Sequence, residues 1–122
     1  MIPIIYHPIY SELDLPSQHR YPIEKYRLLY QALRDQQEDD AAWQQMFATF
    51  TPTPLTLTDV IQVHCPEYIH ALFYNELPAA KMRRIGFPWS EQLIKRTLTS
   101  AGGTCLTVEL ALEYGTAIHL SG

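Results

Sequence analysis

Residues 90–121 read SEQLIKRTLTSAGGTCLTVELALEYGTAIHLS, and this stretch decides the fold. Ser90 is a favourable N-cap residue and Gly115 suits the position just past a helix end. The sequence therefore predicts one long helix from Glu91 to Tyr114. The apolar run from Thr116 to Ser121 follows directly and predicts a buried strand.

One stripe of this predicted helix is apolar along its whole length. Its members recur at steps of four and three: Ile94, Leu98, Ala101, Cys105, Val108 and Leu112. The pattern predicts that this narrow seam is buried. Gly102 and Gly103 stand in mid-helix, where each costs about 1 kcal/mol relative to alanine. We therefore expect another segment to pack closely against the backbone there.

The rest of the chain supplies one more strand and several helices. The stretch from Ile2 to Tyr6 is almost all apolar and predicts a strand buried on both faces. A long loop is predicted from His7 to Tyr21 because no clear period is present. Helices are predicted from Pro22 to about Gln36, from Glu38 through Trp43, Met46, Phe47 and Phe50, from Thr58 to Val63, from Pro66 through Phe73, and from Pro78 to Gly86.

A long helix between two buried strands is typical of a parallel α/β sheet covered on both faces. Two strands are too few to form such a sheet for five or six helices. We therefore expect residues 1–122 to be the incomplete N-terminal portion of a single larger α/β domain. An uncovered final strand would invite pairing with a second copy, so we expect a homo-oligomer through the exposed sheet edge.

Composition argues against two classes of partner. Nine Lys and Arg against thirteen Asp and Glu give a net charge of -4, which disfavours nucleic-acid binding. No apolar run approaches the roughly 20 residues of a membrane helix, so no membrane partner is expected. The N-terminal MIPIIYHP lacks the pattern of a signal peptide, and we expect a cytoplasmic protein. Cys65 and Cys105 are then expected to be free, buried thiols.

The sequence contains few groups with obvious chemistry. His64, Cys65 and His70 are the closest approach to a metal-ligand cluster, but their spacing does not match a helical pair of ligands. At the end of the first loop, His19 and Arg20 precede Tyr21 and Pro22, where a helix begins. Such a junction offers backbone N–H groups to an anionic or carbonyl ligand, although a structural anchor explains it equally well.

Five stretches, in this order and spacing, resemble the N-terminal third of the histone deacetylase superfamily, especially its bacterial and class IV-like members. They are YHPIY near the start, HRYPIEKYRLL at 19–29, VHCPEYIHAL at 63–72, IGFPWSEQLIKR at 85–96 and TSAGGTCLTVELALEYGTAIHLSG at the end. The resemblance covers essentially the whole chain. It implies an open, mostly parallel three-layer α/β/α fold of the arginase/deacetylase type, helix-rich within this part.

The resemblance also implies a function and a set of supporting residues. The family enzymes are zinc-dependent amidohydrolases that remove acetyl groups from lysine or related amines. Their zinc ligands and paired catalytic histidines come after the stretch that TAIHLSG resembles, so we expect no catalytic residue, no zinc ligand and no activity in this chain alone. By resemblance the substrate tunnel is lined by His19, Arg20, Pro22, Lys25, Phe87 and Pro88, while Gly102 and Gly103 match the paired glycines that allow close packing.

Two hypotheses from different classes therefore stand. The first is the N-terminal portion of a zinc-dependent deacetylase acting on an acetylated lysine or amine. The alternative is a non-catalytic interaction domain that keeps only the front of the fold. A small metal-binding protein using His64, Cys65 and His70 is a weaker third hypothesis.

Overall fold

The computed structural model describes residues 1–121 and shows a mixed α/β arrangement, rich in helix, around a small parallel sheet. Within these residues three strands form the sheet: β1 (Ile2–Ile5), β2 (Phe47–Phe50) and β3 (Ile118–His119). The strand order is β2-β1-β3, and both pairings are parallel. The predicted α/β class is confirmed in this coarse form.

Six α-helices surround the sheet in the described part of the chain. They are α1 (Lys25–Asp39), α2 (Ala41–Met46), α3 (Leu57–Val60), α4 (Pro66–Phe73), α5 (Ala79–Ile85) and α6 (Glu91–Tyr114). A 3-10 helix, Pro8–Ser11, interrupts the long loop predicted after β1. The predicted first helix was placed one turn early, because Pro22 lies in a turn before Lys25.

Local end signals placed α6 correctly. The Ser90 hydroxyl accepts a hydrogen bond from the Leu93 N–H at 2.9 Å, as an N-cap does. Gly115 has a φ of 91°, the left-handed conformation that glycine adopts without strain. Thr56, rather than the predicted Thr58, caps α3, and it forms a capping box with Asp59.

The predicted helix through Phe50 is wrong in its second half. The helix ends at Met46, and residues 47–50 form β2, which pairs with β1 from Ile2↔Phe47 to Ile5↔Phe50. Aromatic residues at helical spacing, Trp43 and Phe47, suggested a continuing helix, and their rings do contact each other at 4.9 Å. Residues 47–50 become a strand because they pair with β1, more than 40 positions earlier in the sequence. The local pattern of apolar residues carries no information about such distant pairing.

The predicted buried seam of α6 holds only in part: Ile94, Leu98 and Ala101 are half-buried, and the second half of the seam is exposed. Cys105 is exposed, and Val108 and Leu112 are 56% and 84% exposed. The more buried side of α6 is a different stripe with the same spacing: Leu93, Arg96, Ser100, Gly103, Thr107 and Leu110. Small and polar side chains lie in its middle because the sheet and the 3-10 helix approach the helix backbone closely there.

Two further predictions, the burial of the cysteines and the length of the final strand, are wrong. The free cysteines Cys65 and Cys105 are both exposed rather than buried. The final strand is shorter than predicted, two residues instead of six, and Ile118 on it is 42% exposed. No helix within residues 1–121 combines the length and the apolar character that crossing a membrane requires.

The core lies on the side of the sheet that faces α1 and the 3-10 helix. It is a single cluster of buried apolar and aromatic side chains: Ile4, Tyr6, Ile9, Tyr10, Tyr26 and Leu120. Three of the six are tyrosines, whose hydroxyl groups require hydrogen-bond partners or water when they are buried. The core therefore brings polar atoms together beyond the end of β1.

Candidate functional site

The first feature of the site is a contact between two loops that are far apart in sequence. His19 Nε2 lies 2.8 Å from the carbonyl oxygen of Gly86, and the His19 ring stacks on Phe87 with centroids 5.5 Å apart. The Tyr21 ring meets Phe87 edge-on at 5.0 Å. The structure thus brings together the HRYP and GFP segments.

Hydrogen bonds define the state of His19. Its Nδ1 accepts from the backbone N–H of Tyr21 at 3.1 Å, so the remaining proton lies on Nε2, which donates to the Gly86 carbonyl oxygen. Both ring nitrogens are therefore engaged, and His19 acts as part of a wall rather than as an acid or base. The half-buried His19 ring is held in place at the surface of an open cavity.

The other residues predicted for the tunnel are placed around this contact. Arg20 and Pro22 are exposed and line the same cavity, about 420 Å³ in volume, as His19 and Phe87. Pro88 is exposed and lies on a neighbouring concave surface beside Gly86 and Phe87. Five of the six predicted tunnel residues are therefore near one another, and Lys25 lies a short distance away.

Lys25 connects this wall to the core. Its Nζ lies 5.1 Å from the centroid of the Tyr21 ring and 5.0 Å from that of Tyr26, which are favourable cation–π distances. The Lys25 side chain is exposed overall. It also lines a cavity of about 450 Å³ together with Leu29 and His119.

Tyr21 and Tyr26 form a short hydrogen-bonded pair of hydroxyl groups. Burial and the hydrogen bond to Tyr26 raise the pKa of Tyr21. Burial also acts to raise the pKa of Tyr26, but the Tyr21 hydrogen bond and the neighbouring cations Lys25 and Arg96 outweigh it, so this pKa lies below its usual range. The two hydroxyl groups thus share one hydrogen bond beside two cations, and negative charge is favoured on Tyr26 over Tyr21.

Arg96 is the buried cation at the centre of this arrangement. Its side chain is 9% exposed, its Nε donates to the Tyr10 carbonyl oxygen at 2.8 Å, and its guanidinium lies 5.2 Å from the Tyr26 ring centroid. The ion pairs among the described residues are Arg27–Glu24 and His70–Glu76, so Arg96 has no carboxylate partner there. Aromatic faces and a carbonyl oxygen stabilise its charge instead.

A second buried pair joins the 3-10 helix to β3. Tyr10 Oη lies 2.8 Å from His119 Nε2, and His119 Nδ1 lies 3.4 Å from Thr104 Oγ1. Burial raises the pKa of Tyr10 to about 12 and lowers the pKa of His119. Both groups are therefore neutral at physiological pH.

The paired glycines of α6 show what approaches the helix backbone. A Cβ added to Gly103 would lie under 3.0 Å from Tyr10 Oη and His119 Nε2, and one added to Gly102 would meet the Thr53 carbonyl oxygen. A Cβ at Gly102 would run into backbone, so glycine is required there, whereas a Cβ at Gly103 would force the Tyr10 and His119 side chains to shift. Gly103 in particular makes room for the Tyr10–His119 pair.

The described residues do not form a site for the zinc ion that the resemblance implies. Zinc needs three or four His, Cys or carboxylate ligands. Within residues 1–121 no three such side chains are close enough to hold a metal ion. Cys65 Sγ instead contacts Glu67 at 2.9 Å, and His70 Nδ1 lies 3.4 Å from Glu76. We therefore derive no chemical step through zinc from this chain.

The residues that sequence reasoning missed are Tyr10, Arg96 and His119. For Arg96 alone the sequence carries a signal, because Arg96, Ser100, Gly103 and Thr107 form a second stripe at steps of four, three and four. A stripe of small and polar residues beside an apolar one indicates a closely packed, hydrogen-bonded contact. Nothing local marks Tyr10 or His119, which lie in the predicted first loop and in the predicted final strand.

Comparison with known proteins adds one relative. No family model matches the chain. An uncharacterized protein of Picosynechococcus sp. is 36% identical over 131 aligned residues. The alignment takes in 98% of this chain but 38% of that protein, so the chain spans about two fifths of the length of the relative it matches.

Proposed function

We propose that this chain is the N-terminal portion of a zinc-dependent deacetylase of the arginase/deacetylase fold, which hydrolyses the acetyl amide of an acetylated lysine or a related amine. The observation that carries the proposal is the contact of His19 with Gly86 and Phe87. The two loops that resemble the walls of the family's substrate tunnel are 67 positions apart, and they meet in one place.

The character of this wall suits a long, aliphatic acetylated side chain. The rings of His19, Tyr21 and Phe87 present apolar surface, and both nitrogens of His19 are already hydrogen-bonded. Such a surface can pack against the methylene groups of a substrate side chain. Because both nitrogens of His19 are engaged, the histidine does not exchange a proton with the substrate. The residues that hold zinc and perform the proton transfers would lie outside this chain.

The relative supports a larger protein. Since 38% of its length matches this chain, most of that protein lies beyond the matched part. A chain that contributes three strands and leaves β3 at one edge is consistent with an N-terminal portion whose sheet is extended by later strands.

The assay that tests the proposal uses the longer gene product that contains this chain. We expect zinc-dependent release of acetate from acetyl-lysine peptides or acetylated amines, abolished by a chelator and restored by zinc. Phe87→Ala should raise KM for these substrates at least several-fold, whereas the exposed Glu113→Ala should leave KM unchanged. A zinc-loaded, folded protein without amidase activity on either substrate class would contradict the proposal.

An apolar groove favours the alternative function, a non-catalytic interaction domain. It lies between α3, α4 and α6, has a volume of about 650 Å³, and is lined largely by apolar side chains, including Val63, which is 80% exposed. Monomeric proteins seldom leave a large apolar surface uncovered. If the gene product ends at residue 122, the better-supported hypothesis would be a non-catalytic interaction domain whose groove is covered by a partner.

A further inference from the structure

We propose that Tyr10 fixes the tautomer of His119, with the proton on Nδ1, and that the pair acts as a positioning element for the carboxyl end of β3. The importance of this position for catalysis rests on the proposed function, in which the catalytic histidines follow that strand. The state of His119 itself depends only on the geometry of this chain.

β3 needs such an element because its own backbone holds it weakly. Only two of its residues pair with β1, through Ile4↔Ile118 and Ile5↔His119. One further backbone bond, from the Leu120 N–H to the Ile5 carbonyl oxygen at 3.0 Å, continues the contact. A strand this short is positioned largely by its side chains.

The direction of the hydrogen bonds follows from counting protons. Thr104 has one hydroxyl proton, which it donates to the Ser100 carbonyl oxygen at 3.4 Å, so its oxygen accepts from His119 Nδ1–H. Nε2 of a neutral His119 then carries no proton. It accepts from the Tyr10 hydroxyl at 2.8 Å, which completes a chain from Tyr10 to Ser100.

The surroundings keep both groups neutral. His119 faces the Tyr10 hydroxyl from the 3-10 helix, Thr104 and Gly103 from α6, and Lys25 from α1 across the shared cavity. None of these neighbours is a carboxylate, so nothing among them stabilises an imidazolium ion. The high pKa of Tyr10 keeps its proton available for donation.

The contact is tight, and a second tie supports it. The absence of a side chain at Gly103 leaves the space that the Tyr10 hydroxyl and the His119 ring occupy. The Ser100 and Ser121 hydroxyl groups lie 2.8 Å apart, one residue position beyond Leu120. The face of α6 formed by Ser100, Gly103 and Thr104 thus holds His119 and Ser121 together.

The direct test is ¹⁵N NMR of the His119 ring in the 122-residue chain near pH 7.5. We expect the spectrum of the Nδ1–H tautomer in the wild type. Tyr10→Phe should move the ring toward the Nε2–H form, while Tyr6→Phe should not. Tyr6 is a suitable control because it is equally buried and touches Tyr10, yet within residues 1–121 its hydroxyl makes no bond to β3. An Nε2–H ring in the wild type would overturn the proposal, whether or not Tyr10→Phe folds.

Two conservative variants separate positioning from simple packing. The amide of Gln in His119→Gln reaches the place of Nε2, whereas that of Asn in His119→Asn reaches only the place of Nδ1. We expect hydrogen exchange of the Leu120 amide to stay slow in His119→Gln and to become about tenfold faster in His119→Asn, the loss typical of one buried hydrogen bond. Equal exchange in the two variants would contradict the proposal. These readouts do not involve activity, so the proposed function can fail while this inference stands.

Discussion

At the scale of single residues, the most informative side chains are polar groups inside the aromatic core. Arg96 is a buried cation without a described carboxylate partner, and Tyr10 and His119 form a neutral pair against Gly103. Their partners come from four different elements, so no local pattern around any one of them predicts the contact. The resemblance did identify Gly103 and Phe87, but as supporting residues and not as part of a polar network.

Acidification should weaken the fold through His119. Burial lowers the pKa of this residue in the folded chain below the ordinary 6.5 of the unfolded chain. The unfolded state therefore takes up the proton first, and stability falls as the pH drops from above 6.5 through the lower folded pKa. Urea unfolding between pH 8 and pH 5 should show a smaller decrease for His119→Gln than for the wild type. The exposed variant His64→Gln serves as the control, and an equal decrease in all three proteins would refute this origin.

Gly103→Ala should destabilise the chain although alanine favours a helix. The added Cβ would clash with Tyr10 Oη and His119 Nε2, and such overpacking costs about 1–3 kcal/mol. The helix propensity gain of about 1 kcal/mol offsets only part of this cost. The free energy of unfolding from urea titration measures the balance. A Gly103→Ala protein more stable than the wild type would show that the site is not closely packed.

At the scale of elements, structure set by local sequence signals was predictable, whereas structure set by long-range contacts was not. The ends of α6 were predictable because Ser90 and Gly115 act on their own helix. β2 was not predictable, because residues 47–50 become a strand through pairing with β1. The most buried face of α6 was misassigned because the apolar stripe is half-buried only in its first half, while the sheet covers the stripe containing Arg96 and Gly103.

Two substitutions on α6 distinguish these stripes. Leu110 is 8% exposed, and Leu110→Ala should cost about 2–4 kcal/mol of unfolding free energy through the lost contacts and the cavity. Leu112 is 84% exposed, and Leu112→Ala should change the free energy by less than about 0.5 kcal/mol. Urea unfolding of both variants measures the difference. The opposite order would restore the apolar seam as the buried face.

At the scale of the whole molecule, the chain leaves apolar surface and sheet edge exposed. The groove between α3, α4 and α6, the exposed Leu112 and the open side of β3 all lack a covering element within residues 1–121. The relative of Picosynechococcus sp., of which 38% matches this chain, is long enough to supply one.

The chain alone should expose both of its thiols. Cys65 and Cys105 are free and exposed, and Cys105 lines the groove. We expect two thiols per chain to react rapidly with a thiol-specific reagent without denaturant, counted by absorbance or by intact mass. Cys105→Ser should reduce the count to one. A thiol that reacts only after denaturation would show that the groove is covered, most simply by self-association.

We propose that this chain begins a zinc-dependent deacetylase. The measurement that tests it most directly is the sequence of the natural transcript past codon 122. We expect a continuing frame that encodes a Gly-x-His-His segment shortly after β3, followed by aspartate and histidine zinc ligands. A stop codon at that point, or a continuation without these residues, would contradict it.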